Sequence, residues 1–168
     1  MGSGKSTAGR ELAALLGCRF VDLDRYIEDK KGESIQEIFD SEGELAFRAT
    51  EAEAVRDIVI MHNLTGEDIV LALGGGTMMT APIRQLLLSQ SVCVYLKASS
   101  ELLLQRIREG HPRPLAMLDD KELLGRLEAR TPVYSQAPVT IETDDKTAEQ
   151  IADEIRQKLI EYEEPRYE

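Results

Sequence analysis

MGSGKSTAGRELAALLG (residues 1–17) is the stretch on which the fold turns. Glycines at 2 and 4 followed by Lys5, Ser6 and Thr7 form the end of a phosphate-binding loop, whose full pattern is Gly, four residues, then Gly-Lys-Ser/Thr. Directly after it, Ala8, Leu12, Leu15 and Leu16 fall on one helical stripe that Gly17 stops. Small residues let backbone N–H groups wrap phosphate oxygens, and the helix N-terminus adds partial positive charge. In that geometry Lys5 reaches the β- and γ-phosphates of a nucleotide, and the Ser6 hydroxyl can ligate Mg²⁺. The bland alternative is a tight turn, which does not require Gly-Lys-Ser at the head of an amphipathic helix. The first half of the loop would precede Met1.

Outward from this loop, strands and helices alternate. RFVDLD (19–24) reads as a short buried strand ending in carboxylates, followed by a polar helical stretch. SIQEIFDSEGELAFRATEAEAVRDIVI reads as two helices broken near Gly43, with Ser34 and Glu37 spaced as a capping box. DIVLALGGGT (68–77) is a strand running into three glycines, and the next helix carries Pro82 in its first turn. SVCVYLKAS and SSELLLQRIRE give a further strand and helix. GHPRPLAMLDD (110–120) breaks the periodicity and reads as a mobile loop. A helix up to Arg130, a strand in APVTIET and a closing helix complete the chain. Alternation of this kind predicts a parallel α/β sheet covered on both faces, with ligands at the carboxyl ends of the strands.

Bulk composition narrows the function classes. The 168 residues fit one domain, and 42% hydrophobic with 30% charged residues is the make-up of a soluble globular protein. No apolar run approaches the roughly 20 residues that cross a bilayer, and the Gly and Ser that follow Met1 are not what is expected of a signal peptide. A formal net charge of −11 argues against a nucleic-acid surface, which needs clustered cations. Cys18 and Cys93 lack paired spacing and read as reduced, packed thiols of a cytoplasmic protein, and two isolated histidines give no zinc site.

Three further constellations carry chemistry. On a strand, Asp22 and Asp24 would share one face, so that one holds a water of the Mg²⁺ shell while the other accepts a hydrogen bond from an attacking hydroxyl. Capping of the next helix is the competing explanation. The run Gly74-Gly75-Gly76 is costly in chain entropy and makes sense where backbone approaches a ligand closely, although a turn would use one or two of these glycines. Arg48, Arg113 and Arg130 suit carboxylate or phosphate recognition. Arg48 could equally form a surface pair with Glu51, and Arg130 could answer a helix dipole.

Taken in order, GSGKST, FVDLD, SIQEIF with GE..FR..E, LALGGG, RPL and AR.PVY resemble the shikimate kinases, small P-loop phosphotransferases related to the nucleoside monophosphate kinases. The resemblance runs from Met1 to about residue 160. It implies a single three-layer α/β P-loop kinase domain over residues 1–168, with substrate-binding helices at about 25–62 and a flexible lid at about 109–120. The implied reaction transfers the γ-phosphoryl group of ATP to the 3-hydroxyl of shikimate with Mg²⁺. Gly2, Ser3, Gly4, Lys5, Ser6 and Thr7 would serve ATP, with Ser6 and Asp22 on the metal. Asp24 would orient or deprotonate the nucleophile. Arg48 and Arg130, with Gly74, Gly75 and Gly76, would grip the substrate. Arg113 would meet the phosphates from the lid, and Arg106 would flank the adenine, whose base would rest near Thr143. The same likeness implies a monomer.

The family's sheet order is 2-3-1-4-5, and its first, central strand is missing from this chain. Such a strand buries five or six apolar side chains at ~1.5–3 kcal/mol each, on the order of a whole domain's stability. The native chain is therefore expected to begin about ten residues earlier, one strand and its turn. An intact mass of the native protein equal to this sequence from Met1 refutes that. Two other functions share part of the pattern: a gluconate-type sugar-acid kinase, which need not carry DLD, Arg48, GGG and Arg130 together, and a truncated, non-catalytic nucleotide-binding protein.

Overall fold

The computed structural model describes residues 3–109 and 119–163. Helix α1 (Lys5–Leu16) leads to strand β1 (Arg19–Asp22), then α2 (Leu23–Lys31) and α3 (Ile35–Thr65). Strand β2 (Ile69–Ala72) runs through the glycines into a 3₁₀ turn (Thr77–Met79) and α4 (Ala81–Gln90). The remainder is β3 (Val94–Lys97), α5 (Ser100–Glu109), α6 (Asp120–Tyr134), β4 (Val139–Glu142) and α7 (Ala148–Glu163). Gly2, Arg113 and residues 110–118 of the expected lid lie outside the described residues.

The strands form two parallel pairs. β1 runs beside β2 with Val21 opposite Leu71, and β3 beside β4 with Leu96 opposite Ile141. Numbered as in the expected order 2-3-1-4-5, these are the pairs 2-3 and 4-5, and no ladder joins β2 to β3 among the described residues. Two apolar cores follow. One packs Val21, Leu23 and Ile27 against Ile38, Phe47, Val55 and Ile58 of α3 and Ile83 and Leu87 of α4. The other seats Ala8 and Leu12 of α1 on Ile141 of β4 and on Ile151, Ala152 and Ile155 of α7, with Val70, Val94 and Leu96 alongside. Helices thus cover both faces of the parallel pairs, the three-layer α/β arrangement.

Local chemistry explains most boundaries. Ser34 Oγ accepts the Glu37 N–H at 3.2 Å while Glu37 Oε2 accepts the Ser34 N–H at 2.7 Å, closing the capping box of α3. At Gly43 the helical ladder is broken by a residue with φ 81° and ψ 173°, backbone that only glycine adopts without strain. Two boundaries differ from expectation. The alternation in VDLD predicts a strand through Asp24, yet β1 ends at Asp22, whose Oδ1 accepts the Arg25 N–H at 3.3 Å and starts α2. α6 continues past Arg130 through Pro132 to Tyr134, because Pro132 forfeits a single N–H while Ser135 still donates to Thr131 at 2.9 Å.

Both thiols are free, and burial pushes each of them above the ordinary cysteine range. Among the described residues no helix is long and apolar enough to cross a membrane.

Candidate active site

The head of α1 and the end of β1 meet. Gly4 brings no side chain to cap α1, and first-turn N–H groups left this way are natural partners for an anion. Lys5 Nζ donates to Ser3 Oγ at 3.3 Å, so the side chain folds back over the loop. Ser3 is buried, and Thr7 is exposed on the first turn. Ser6 Oγ donates to Asp22 Oδ2 at 2.5 Å. The two carboxylates of DLD therefore do not share a strand face: Asp22 is at once the cap of α2 and the partner of Ser6, and Asp24 lies in the first turn of α2. A hydroxyl and a carboxylate oxygen are hard donors of the kind Mg²⁺ takes alongside phosphate oxygens and water.

Asp24 leads to the triglycine turn. A Cβ placed on Gly74 would lie 2.7 Å from Asp24 Oδ1, and one on Gly76 would lie 2.5 Å from Arg48 Nη2 and 2.8 Å from Nη1. None of the three glycines has positive φ. Their smallness serves close approach, and what approaches includes two of the expected site side chains. Gly76→Ala follows from this. The tip of an arginine can swing aside, so the fold survives, but the guanidinium loses its place. The KM for the acceptor that the resemblance implies is expected to rise about ten- to a hundredfold, the worth of a hydrogen bond to a charged group, with the KM for the nucleotide unchanged. Steady-state kinetics against each substrate checks it.

Arg48 is held by two carboxylates. Nη1 donates to Glu51 Oε2 at 2.8 Å and Nη2 to Glu44 Oε1 at 3.3 Å. The Glu51 pair is not the surface pair that i,i+3 spacing suggests, because the Glu51 side chain is only 1% exposed. Partial burial works against the charge on Arg48, but the two carboxylates outweigh it and hold its pKa above the usual arginine value.

Arg130 reaches the same turn through Tyr134, one helical turn along α6. The Tyr134 hydroxyl donates to the Gly75 carbonyl. Burial pushes its pKa up, against the nearby positive charges of Arg130 and Arg48. A helix dipole is not what places Arg130, since α6 carries no basic residue in its last turn.

Chain adjacency and contacts together link Lys5, Ser6, Asp22 and Asp24 to the turn that holds Gly74, Gly76 and Arg48, and Tyr134, on the Gly75 carbonyl, feels the charge of Arg130. Thr77 Oγ1 donates to Glu51 Oε1 at 2.6 Å. Sequence reasoning gave Glu51 only a surface pair and gave Thr77 and Tyr134 no role; the three close the quoted segments GE..FR..E, GGGT and PVY, which was the available signal.

Arg106 is near enough to Asp144 to help lower that carboxyl, whose main influence is the backbone N–H of Ser99, 3.0 Å from Oδ1. The loop after β4 and α5 thus come together at this end. Thr143 itself is buried, with Oγ1 donating to the Lys97 carbonyl at 3.2 Å.

The phosphate loop heading α1, the parallel pairs and the site at their carboxyl ends define a P-loop kinase. The sequence profile of shikimate kinase matches residues 1–160. The shikimate kinase of Thermus thermophilus is 44% identical over 99% of this chain and 89% of its own length, and that of Halorhodospira halophila is 45% identical over 95% and 89%. Among solved structures, the Acinetobacter baumannii shikimate kinase in complex with shikimate superimposes with a TM-score of 0.89 at 38% identity, covering 98% of this chain and 91% of that one. The chain belongs to the shikimate kinase family.

Proposed function

We propose that this chain transfers the γ-phosphoryl group of ATP to the 3-hydroxyl of shikimate, using the residues gathered along the triglycine turn. The observation that carries the assignment of roles is the placement of a carboxylate, Asp24, and a guanidinium, Arg48, against Gly74 and Gly76 of one turn. That spacing offers a proton acceptor to one part of a small hydroxy acid and a cation to its carboxylate.

In the reaction the 3-hydroxyl oxygen forms a bond to the γ-phosphorus as the bond to the β,γ-bridging oxygen breaks. The hydroxyl proton passes to Asp24, and ADP leaves with the bridging electrons. Arg48 and Arg130, with the backbone of Gly74, Gly75 and Gly76, hold the ring carboxylate. Lys5 and the loop from Gly2 to Thr7 hold the triphosphate. Ser6 and Asp22 would hold Mg²⁺, which supplies neutralisation of phosphate charge when bound. Arg113, outside the described residues, is assigned the transferring phosphoryl group, and Arg106 the adenine. Every side chain given a role comes from one chain, so a monomer suffices. Two reduced thiols accord with a cytoplasmic setting.

ADP release coupled to an indicator reaction, with shikimate and gluconate as alternative acceptors, tests the assignment, and ³¹P NMR identifies the product. Turnover with shikimate alone, yielding a phosphate monoester at the 3-position, is expected. Turnover with gluconate alone overturns the substrate, and ATP binding without transfer to either overturns the activity.

A further inference from the structure

We propose that Tyr134 is a positioning residue for the acceptor: its hydroxyl, bound to the Gly75 carbonyl, holds the Gly75–Gly76 peptide in the orientation that offers the Gly76 N–H to the substrate carboxylate. The proposal rests on the shikimate reading above.

The turn after β2 ties several of its carbonyls from within. The Gly74 carbonyl accepts the Thr77 N–H at 3.3 Å and lies 3.1 Å from the Thr77 hydroxyl. The Gly76 carbonyl accepts the Met79 N–H at 2.9 Å, and the Met78 carbonyl accepts Arg84 Nη1 at 2.8 Å. The Gly75 carbonyl instead takes its donor from 59 positions away, at the end of α6. A peptide between two glycines turns over at little steric cost, since neither neighbour has a Cβ. In a planar trans peptide the C=O and N–H point in opposite directions, so a donor on the oxygen fixes the direction of the N–H. With its oxygen tied to α6, this peptide turns the Gly76 N–H away from Tyr134. Among the described residues, no backbone bond of the turn uses that N–H. It is attached to the α-carbon against which the Arg48 guanidinium lies, so a cation and a directed donor stand side by side. The bond at the oxygen also polarises the N–H at the other end of the same peptide.

The tyrosine is well held. Because α6 continues through Pro132, Tyr134 falls one turn beyond Arg130 on the same helix face. Its ring meets that of Tyr95 on β3, with centroids 5.4 Å apart. Burial keeps its hydroxyl protonated, and so a donor, through the neutral range. The charges of Arg130 and Arg48, the two guanidinium groups assigned to the carboxylate, both act on that hydroxyl, which places the bond within the site.

Steady-state kinetics and ¹⁵N-resolved NMR of the purified kinase test this. Tyr134→Phe keeps the ring against Tyr95 and removes one hydroxyl, and Tyr95→Phe, the control, removes the other hydroxyl of the ring pair. Tyr134→Phe is expected to raise the KM for shikimate about three- to tenfold, the worth of one neutral hydrogen bond, with the KM for ATP unmoved. Tyr95→Phe leaves both KM values at those of the parent. In the parent the Gly76 amide resonance moves on saturation with shikimate; in free Tyr134→Phe it stands at a new position and responds less. A parent-like shikimate KM in folded Tyr134→Phe, a parallel rise in both KM values, the same effect from Tyr95→Phe, or an unmoved Gly76 resonance each overturns the proposal. Should Tyr134→Phe not fold, the parent decides, since a Gly76 resonance indifferent to saturating shikimate overturns the proposal and a responsive one sustains it. A parent that does not phosphorylate shikimate overturns the substrate reading and this proposal with it, whereas an active parent with a parent-like Tyr134→Phe overturns this proposal alone.

Discussion

Asp24→Asn is expected to lower kcat with shikimate by about 10²–10⁴-fold, the contribution of a positioned general base, while leaving ATP affinity close to that of the parent. Asparagine keeps the shape of the side chain, but it cannot take a proton from the attacking hydroxyl. The ATP end is separate, because the carboxylate that meets Ser6 is Asp22. Magnitude separates this from a structural effect. Asp24 sits in the first turn of α2, where a negative charge favours the helix by about 0.3–1 kcal/mol. The expected kinetic loss corresponds to about 2.7–5.4 kcal/mol of barrier, well beyond what the helix end can supply. Single-turnover kinetics and calorimetric ATP titration on the same preparation provide the check. A kcat equal to that of the parent removes Asp24 from the chemistry.

That separation of Asp22 from Asp24 was not legible in the sequence. Val21-Asp22-Leu23-Asp24 alternates as a strand does, and Leu23 is buried whether it extends β1 or opens α2. Periodicity cannot tell the two apart over four residues; the cap bond from Arg25 to Asp22 decides it. Elements governed by short-range chemistry were legible. The stripe of Ala8 and Leu12 gave α1, Ser34 with Glu37 gave the start of α3, and Gly43 marked its break. The proline at 132 invited a stop at Arg130, because the sequence shows the missing donor but not the Ser135 to Thr131 bond that carries the helix on. Glu51 was hidden for a different reason. Its spacing from Arg48 is the same whether the pair faces solvent or core, and the residue that completes its shell, Thr77, is 26 positions away. Residue types thus gave the candidate list, and tertiary burial gave the way its members hold one another.

Lys5→Met is expected to reduce phosphoryl transfer by about 10²–10³-fold or more, the cost of removing one preorganised charge from a transition state that gathers negative charge. Methionine retains an unbranched apolar stem and loses only the cation. The helix that carries Lys5 does not depend on it, since α1 is anchored by Ala8 and Leu12 against Ile141, Ile151 and Ile155. Stability should therefore stay within about 0.5 kcal/mol, as for substitutions away from a core, which thermal unfolding measures. The pattern across substrates matters as much as the size. A lysine that meets the triphosphate lowers kcat at saturating shikimate and leaves the shikimate KM near its parent value, the opposite of what Gly76→Ala does at the other end of the site. A residual rate within tenfold of the parent, or a loss confined to shikimate binding, would mean that the Nζ now folded over Ser3 does not turn to the phosphates when ATP binds.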